Sequence, residues 1–485
     1  MFFLGLVLQQ GGGHSRAEAL FHEAMAAAPA EGLPALVRRL DRIAGEIPVS
    51  PIMPDLLETI QVIGLLHPGS VPDRPVRLAS LKARAAGNAG LARVLKRIEI
   101  LQAYYQAAGR GQSEREAATL SDPVFEGSIL GVQAQADAAL RARDYRRAES
   151  LAMRVLEADP YSPLLADAHA ILGLSAAFQG DARAAVRHFR KAAAVTELPT
   201  LYGDTRNYLF TASRFALPGP APVGEVFDEM APILLTGFAG LKDPQSLALA
   251  AGNFILVDKE QTVRISPDGE VLEAKPARKI VDAAAAGDGT VWLLAEDGID
   301  PGTGSMVQLS LSSGGKARPL RKLRSLAFDQ AGDVYLLDQD AGLLRGRPAE
   351  DGRLEIAALA PVRGELVRVD GRGNLFVLEA AGKSVLLLSR EGKQLLSVTT
   401  APVGGRAGAI GFFALDVLNH IYVLDSNSMQ IFAINDGTAG PAAQLLATLP
   451  LEQRPPFKNL RVLGVTGTGE VVVTGKNDDT WIRYR

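Results

Sequence analysis

Carboxylates recur at one place in a local sequence pattern of this chain, and they are the first residues that could do chemistry. In four copies an acidic residue ends a short apolar run that follows a turn containing Gly or Asn: Asp258, Asp338, Glu379 and Asp425. In two further copies the same position holds Ala295 or Gly475. If the four acidic side chains converged, their oxygens would form a ring of the kind that binds Ca²⁺.

A structural role explains the recurrence of these acids better than a cation site does. An aspartate at the end of a strand accepts hydrogen bonds from backbone N–H groups of the next turn. Every unit of a repeat needs such a turn, whereas a functional site draws different residues from different units. We therefore predict that the acids close turns and that no cofactor is bound, with a Ca²⁺ site as the alternative.

The loops that follow these apolar runs form the predicted surface for a partner. The candidate binding residues on them are Asp258, Asp338, Asp340, Glu379, Asp425 and Asn427. The predicted partner is a protein or a peptide. No residue is assigned a catalytic or metal-binding role, so an enzyme is not the preferred interpretation.

Histidine and cysteine supply no recognisable catalytic set. The chain has no cysteine, which excludes disulfides, thiolate metal sites and thiol nucleophiles. His420 stands where the other copies have Asp, Asn, Glu or Thr, so we interpret it as a turn residue. The other histidines lack the His-x-x-x-His spacing of a zinc site. No Gly-rich stretch continues into Gly-Lys-Ser/Thr, and a nucleotide site is therefore not predicted.

The charge of the chain gives no sign of a nucleic-acid or membrane partner. The formal net charge is only -3, so no polyanion is predicted to bind. The one basic run, residues 316–324, has five Lys or Arg and no aromatic residue, whereas RNA-binding surfaces combine the two. We interpret this run as a solvated strand pair, with a docking patch for an acidic partner as the alternative. No apolar run after the first turn reaches the roughly 18 residues of a membrane span.

The first 15 residues allow two interpretations. Residues 2–8 are apolar, but no basic segment precedes them and no clear small-x-small cleavage site follows. They are either the remnant of a secretion signal or a disordered or helical start. A periplasmic or secreted location and a cytoplasmic location are therefore both open, as is the oligomeric state.

The acidic residues belong to a six-fold repeat of short strands. The turn before each apolar run is marked by one residue: Gly252, Gly289, Gly332, Gly373, Asn419 and Gly469. The intervals are 37, 43, 41, 46 and 50 residues, which is the length of one four-stranded propeller blade. A second turn signal, such as Gly314-Gly315 or Asp351-Gly352, is expected to join the third and fourth strands. Six such units predict a closed all-β six-bladed propeller.

Closure of the ring predicts a strand exchange between the two ends of this region. The segment 224–238 precedes the first unit, and the alternating segment 479–485 has no unit after it. We predict that one of them completes a blade begun by the other, because closure removes exposed strand edges.

Two stretches carry a resemblance to a known propeller family. Asp338-Gln-Asp-Ala-Gly-Leu-Leu and Asp425-Ser-Asn-Ser-Met-Gln-Ile-Phe resemble the NHL-type unit, in which an acidic residue ends the second strand and an apolar pair begins the third. The resemblance covers about residues 245–485. It implies the architecture and leaves activity open, because that fold carries protein binding, RNA binding, lyase and lactonase functions alike.

The first half of the chain has the periodicity of amphipathic helices. Residues 136, 148 and 152 align with residues 173, 185 and 189 at an offset of 37, with small residues at most of these positions. This pattern, over about residues 130–200, resembles tetratricopeptide repeats, whose unit is 34 residues. The resemblance implies a concave surface that holds a peptide or a protein. The alternative is that the helices only brace the second half.

These observations together predict a two-domain protein. The boundaries are a possible signal remnant or disordered start at 1–15, an all-α tetratricopeptide-like domain at 16–215, a Pro/Gly linker at 216–224 and a six-bladed NHL-like propeller at 225–485. The predicted function is that of a non-enzymatic interaction or scaffold protein. The alternative is a propeller hydrolase of the lactonase kind or a metal-dependent ligand sensor.

Overall fold

The structure is a computed structural model that describes most of residues 129–485. The gaps within this range are 159–164, 195–201, 203–204, 217–220, 223–226, 228–232, 239, 251, 278, 287–288, 314–315, 330–331, 349–353, 404–407, 426–427, 438–439, 451–459 and 477. The predicted start at 1–15, the helices predicted before residue 129, most of the predicted linker and Asn427 lie outside the described residues.

Two compact units share the described helices. Of the described residues, those in 129–171 and 194–203 belong to one unit, and those in 172–193 and 204–485 belong to the other. The five helices described are α1 (Ile129–Arg141), α2 (Tyr145–Ala158), α3 (Leu165–Phe178), α4 (Ala182–Ala194) and α5 (Thr205–Arg214). Within the described part of the chain no helix is long and apolar enough to cross a membrane.

The first four helices form two hairpins. Asp144 Oδ1 accepts the backbone N–H of Arg147 at 3.2 Å, and Asp181 Oδ1 accepts that of Ala184 at 2.9 Å. Both are N-cap bonds, which satisfy backbone donors that a helix start leaves unpaired. Gly180 precedes the second cap with a φ of 83°, a conformation that glycine adopts without strain.

Gly173 provides the close approach that the second hairpin needs. A Cβ atom at this position would lie 2.5 Å from Cε1 of the buried Phe189 ring on α4. Gly173 therefore makes room for that ring against the α3 backbone. The hairpins at the predicted offset are present, and their membership of the tetratricopeptide family remains a prediction.

Six sheets of at least four strands form the second half. Two short strands precede them, β1 (Ala221–Pro222) and β2 (Ile233–Leu234). Blade 1 consists of β3 (Pro244–Ala250), β4 (Asn253–Asp258), β5 (Gln261–Ile265) and β6 (Val271–Pro276). Blade 2 consists of β7 (Ile280–Ala285), β8 (Val291–Ala295), β9 (Gly298–Asp300) and β10 (Val307–Gln308), and a hairpin of β11 (Ser310–Ser313) and β12 (Lys316–Pro319) follows it.

The remaining blades have the same strand order. Blade 3 consists of β13 (Leu323–Phe328), β14 (Val334–Asp338), β15 (Gly342–Pro348) and β16 (Leu354–Ala360). Blade 4 consists of β17 (Gly364–Val369), β18 (Leu375–Glu379), β19 (Val385–Leu388) and β20 (Gln394–Val398). Blade 5 consists of β21 (Ile410–Leu415), β22 (Ile421–Asp425), β23 (Ser428–Gly437) and β24 (Gly440–Pro450), with β1 added parallel to β24. Blade 6 consists of β25 (Leu460–Val465), β26 (Val471–Gly475), β27 (Asp478–Tyr484) and β2.

The ring closes through β2, as the sequence predicts. Ile233 pairs with Trp481 and Leu234 with Thr480 in antiparallel register, so a strand that precedes blade 1 completes blade 6. The first strands of neighbouring blades contact one another around the ring, and β25 contacts β3. We call these six first strands the inner strands. A closed six-bladed propeller is therefore confirmed.

The prediction for the Gly314-Gly315 turn is wrong. This turn joins β11 to β12, which form a separate two-stranded sheet after blade 2. In blade 2 the third and fourth strands are only three and two residues long, and residues 301–306 connect them. Asp300 Oδ1 accepts the backbone N–H groups of Thr303 at 2.9 Å and Gly304 at 3.0 Å. A capped loop thus replaces the predicted two-residue turn.

Candidate functional site

Two of the four recurring acids, Asp338 and Asp425, close the turn that follows them, as the sequence predicts. Asp338 Oδ1 accepts the backbone N–H groups of Asp340 at 2.9 Å and Ala341 at 2.7 Å. Asp425 Oδ1 accepts that of Ser428 at 2.6 Å. Glu379 differs, because its carboxylate accepts the hydroxyl of Ser384.

Asp258 and Asp338 also hold the beginning of the inner strand in their own blade, and Asp338 Oδ2 accepts the backbone N–H of Lys322 at 3.4 Å. Asp258 Oδ1 accepts the backbone N–H groups of Lys242 at 3.1 Å and Asp243 at 2.7 Å. In the strand register, each acid lies opposite the first residue of the inner strand of its own blade. The pairs are Pro244 and Asp258, Leu323 and Asp338, Gly364 and Glu379, and Ile410 and Asp425. Backbone donors just before the strand lie within reach of a carboxylate in this position. In the four blades that have an acid here the recurrence has a structural cause, whereas blades 2 and 6 have Ala295 and Gly475 at the position.

The described residues contain no cluster of three or more His, Asp or Glu side chains placed to hold a metal ion. Asp340 is exposed and forms ion pairs with Lys322 at 3.2 Å and Arg318 at 3.6 Å. Arg324, in the same basic run, pairs with Glu296 at 3.5 Å. Binding of a partner by the loops after the second strands remains a prediction.

The sequence analysis did not identify a second set of recurring turn residues. Asp329, Asp370 and Asp416 end the inner strands of blades 3 to 5, and each accepts the backbone N–H four residues later, at 2.9, 2.8 and 3.0 Å. The donor to Asp416 is His420, whose ring Nδ1 lies 2.8 Å from Asp416 Oδ2. His420 is therefore a turn residue, as predicted.

The channel through the propeller contains an arrangement that could bind a ligand. Each inner strand contributes one residue at equivalent register to a layer that we call the small layer: Ala248, Ala284, Ala327, Arg368, Ala414 and Gly464. Five blades place no more than a methyl group there, and blade 4 places an arginine.

The next residue of each inner strand forms a second layer, which we call the apolar layer. Its members are Leu249, Ala285, Phe328, Val369, Leu415 and Val465. The two layers together line a cavity of about 270 Å³. The cavity lies at the end of the channel where the inner strands finish.

A polar cluster lies under the small layer. Asp282 accepts hydroxyl protons from Ser246 and Ser325, which come from the inner strands of blades 1 and 3. Arg368 Nη1 lies 3.2 Å from Asp282 Oδ2, and Nη2 lies 3.4 Å from Oδ1. Asp282 is 1% exposed, whereas the Arg368 side chain remains 18% exposed.

Unpaired backbone groups explain why polar residues lie in the channel. The inner edge of each inner strand has no neighbouring strand within its sheet, so its N–H groups need other acceptors. Asp282 Oδ2 accepts the N–H of Leu326 at 3.0 Å, and Ser325 Oγ accepts that of Val367 at 3.0 Å. In blades 4 to 6 the positions equivalent to Asp282 hold Leu366, Phe412 and Val462. The channel is therefore polar on one side and apolar on the other.

The sequence did contain a signal for the small layer. Alanine faces a large aromatic residue across the first strand pair in three blades: Ala284 with Trp292, Ala327 with Tyr335, and Ala414 with Tyr422. A small residue beside a large one keeps the interior close-packed. Arg368 is the exception, because it faces Phe376.

Comparison with known proteins gives no information on activity. No family model and no curated protein matches the chain. A streptogramin B lyase structure is 11% identical with a TM-score of 0.38, over 53% of this chain and 98% of that one. A gluconolactonase from Xanthomonas campestris is 14% identical with a TM-score of 0.36, over 55% of this chain and 97% of that one. A protein of unknown function from Bacteroides thetaiotaomicron is 14% identical with a TM-score of 0.37, over 55% and 74%.

Proposed function

We propose that this protein is a non-enzymatic interaction protein, in which a tetratricopeptide-like helical array binds an acidic protein or peptide and an NHL-like propeller is the platform. One observation carries the proposal. Helix α4 exposes Arg183, Arg187, Arg190 and Lys191 and has no acidic residue in its 13 positions. We call these four residues the α4 cations.

The electrostatic environment on α4 supports this assignment. Burial, followed by the positive charges of Lys191 and Arg187, lowers the pKa of His188. The cations therefore act on a neighbouring group as a positive field. Such a field attracts an acidic segment and accelerates its association.

The basic run of the propeller is a weaker candidate for the same partner. Arg318, Lys322 and Arg324 of that run already pair with Asp340 or Glu296. Their charge is partly compensated within the propeller, and an incoming acidic segment would have to compete with these carboxylates. The α4 cations are therefore the better docking surface.

Contacts within the unit that contains residues 172–193 and 204–485 support the alternative role, in which helices brace the propeller. The Arg214 guanidinium donates to the backbone O of Gly469, and the Phe215 ring meets the His420 ring edge-on at 4.7 Å. Arg372 Cζ lies 4.1 Å from the centre of the Phe178 ring. These contacts leave the α4 cations exposed, so bracing and partner binding are compatible.

Charge reversal on α4 tests the proposal in the full-length protein. In tagged protein, Arg187→Glu with Lys191→Glu should abolish capture of a specific acidic partner that the wild type retains at low salt and loses at high salt. The matched control is Arg363→Glu with Lys393→Glu, which changes two exposed propeller residues by the same charge. An identical set of captured proteins for wild type and the α4 variant would contradict the proposal.

A further inference from the structure

We infer that the channel cavity is a binding site for a small uncharged molecule with an apolar body and one carbonyl-type hydrogen-bond acceptor. This inference does not depend on the proposed partner of α4. It rests on the size of the cavity, the chemistry of its two layers and the hydrogen bonds of Arg368.

The size of the cavity sets the size of the ligand. An apolar cavity of about 150 Å³ holds benzene. The 270 Å³ between the small and apolar layers is nearly twice as large. It therefore fits a molecule of about a dozen non-hydrogen atoms. One larger side chain in place of any of the four alanines would fill much of this space.

The residues that line the cavity determine which chemical groups a ligand can have. All six members of the apolar layer are hydrocarbon side chains, and five of the six members of the small layer are Ala or Gly. Arg368 is the one charged side chain among the described residues that line the cavity. An apolar body would be desolvated by these walls, and its polar end would lie at Arg368.

Arg368 has one hydrogen-bond donor to spare. Its Nη1 bonds Asp282 Oδ2 at 3.2 Å and the backbone O of Val367 at 2.8 Å. Its Nη2 lies 3.4 Å from both Asp282 Oδ1 and Ser246 Oγ. Its Nε–H bonds no residue that the structure describes. The guanidinium is fixed by its other bonds, so a ligand would not have to order it on binding.

The charge balance selects a neutral ligand. Arg368 and Asp282 together carry no net charge, and Asp282 is buried. A carboxylate ligand would leave two carboxylates for one guanidinium among apolar walls, where an uncompensated charge is strongly disfavoured. An ammonium ligand would be repelled by the guanidinium, because both groups are positively charged. A carbonyl oxygen needs only the spare Nε–H.

Three probes of matched shape test the charge preference with the full chain. They are phenylacetamide, phenylacetate and the 2-phenylethylammonium ion, titrated by ligand-observed NMR and calorimetry. Phenylacetamide should bind in the millimolar range, as expected for about ten non-hydrogen atoms, and at least about tenfold more tightly than either ion. Preference for phenylacetate or for the ammonium ion would overturn the assignment of a neutral ligand.

Two alanine variants locate the binding. Ala284→Leu fills the small layer without touching Arg368, and phenylacetamide affinity should fall at least about tenfold. Ala248→Leu, in another blade, is the second blocking variant if the first does not fold. Ala357→Leu is the control, because the same change lies on an exposed position of β16. Undiminished binding by a folded blocking variant, or no binding of any probe to wild type at about 10 mM, would overturn the site.

Discussion

Leu235, at the strand that closes the ring, tests whether the propeller unfolds as one cooperative body. The Leu235 side chain is 3% exposed, and its backbone N–H donates to Asp479 O at 2.9 Å. Leu235→Ala removes the buried side chain, at a cost of about 3 kcal/mol. Leu235→Pro also removes the donor and leaves a carbonyl unpaired, for a total of about 5 kcal/mol.

These costs convert into shifts of the melting temperature. For a domain of this size about 1 kcal/mol corresponds to roughly 2–4 °C, so Leu235→Ala should lower it by about 6–12 °C and Leu235→Pro by about 10–20 °C. Leu234→Ala is the neighbouring control, because Leu234 is 67% exposed. That variant should melt within about 2 °C of wild type.

The two tryptophans of the chain provide the assay. Trp292 lies in blade 2 and Trp481 in blade 6 at the closing pair. In a Trp481→Phe background the fluorescence of Trp292 reports a blade remote from the substitution at Leu235. In a closed ring the Trp292 transition shifts together with the circular dichroism of the whole domain. An unchanged Trp292 transition in Leu235→Pro, with part of the strand signal lost, would refute cooperative closure.

Two further predictions concern packing and pH. Gly173→Val should destabilise the protein by about 1–3 kcal/mol, because its Cβ would lie 2.5 Å from the Phe189 ring. In thermal unfolding, the added substitution Phe189→Leu should restore part of the lost stability. A Gly173→Val variant as stable as the wild type would contradict the close spacing of the two helices. Burial raises the pKa of the Asp329 carboxyl, although Arg390 at 3.2 Å opposes this. The stability of the wild type relative to Asp329→Asn should therefore fall as the pH rises through the unfolded and then the folded pKa of this carboxyl. A difference in unfolding free energy that stays constant with pH would count against this prediction.

The architecture was predictable from the sequence because it depends on local signals that repeat. Turn residues such as Gly332 and Asn419 adopt positive φ, of 84° and 64°, and mark the interval between blades. The pairing of β2 with the end of the last blade follows from the need to cover strand edges. The role of Asp338 follows in the same way, because its turn lies beside it in the chain.

The channel could not be predicted in the same way, because it is formed between blades. The stretches that contain Ala248 and Ala284 are alanine-rich strands, and alanine is a weak strand former. Nothing in one strand says which residue reaches the channel layer or that Arg368 meets Asp282 from another blade. The register of all six inner strands is needed before the five small residues and the single arginine align.

The pairing of β2 with β27 has a consequence for synthesis on the ribosome. β2 emerges before any blade is made, whereas its partner β27 is the last strand of the propeller to appear. Until then the nascent propeller cannot close, and blade 6 lacks both its outer strands. Contacts so distant in sequence form slowly, and exposed strand edges favour aggregation in the meantime. The emerging chain should therefore depend on chaperone protection until β27 has left the ribosome.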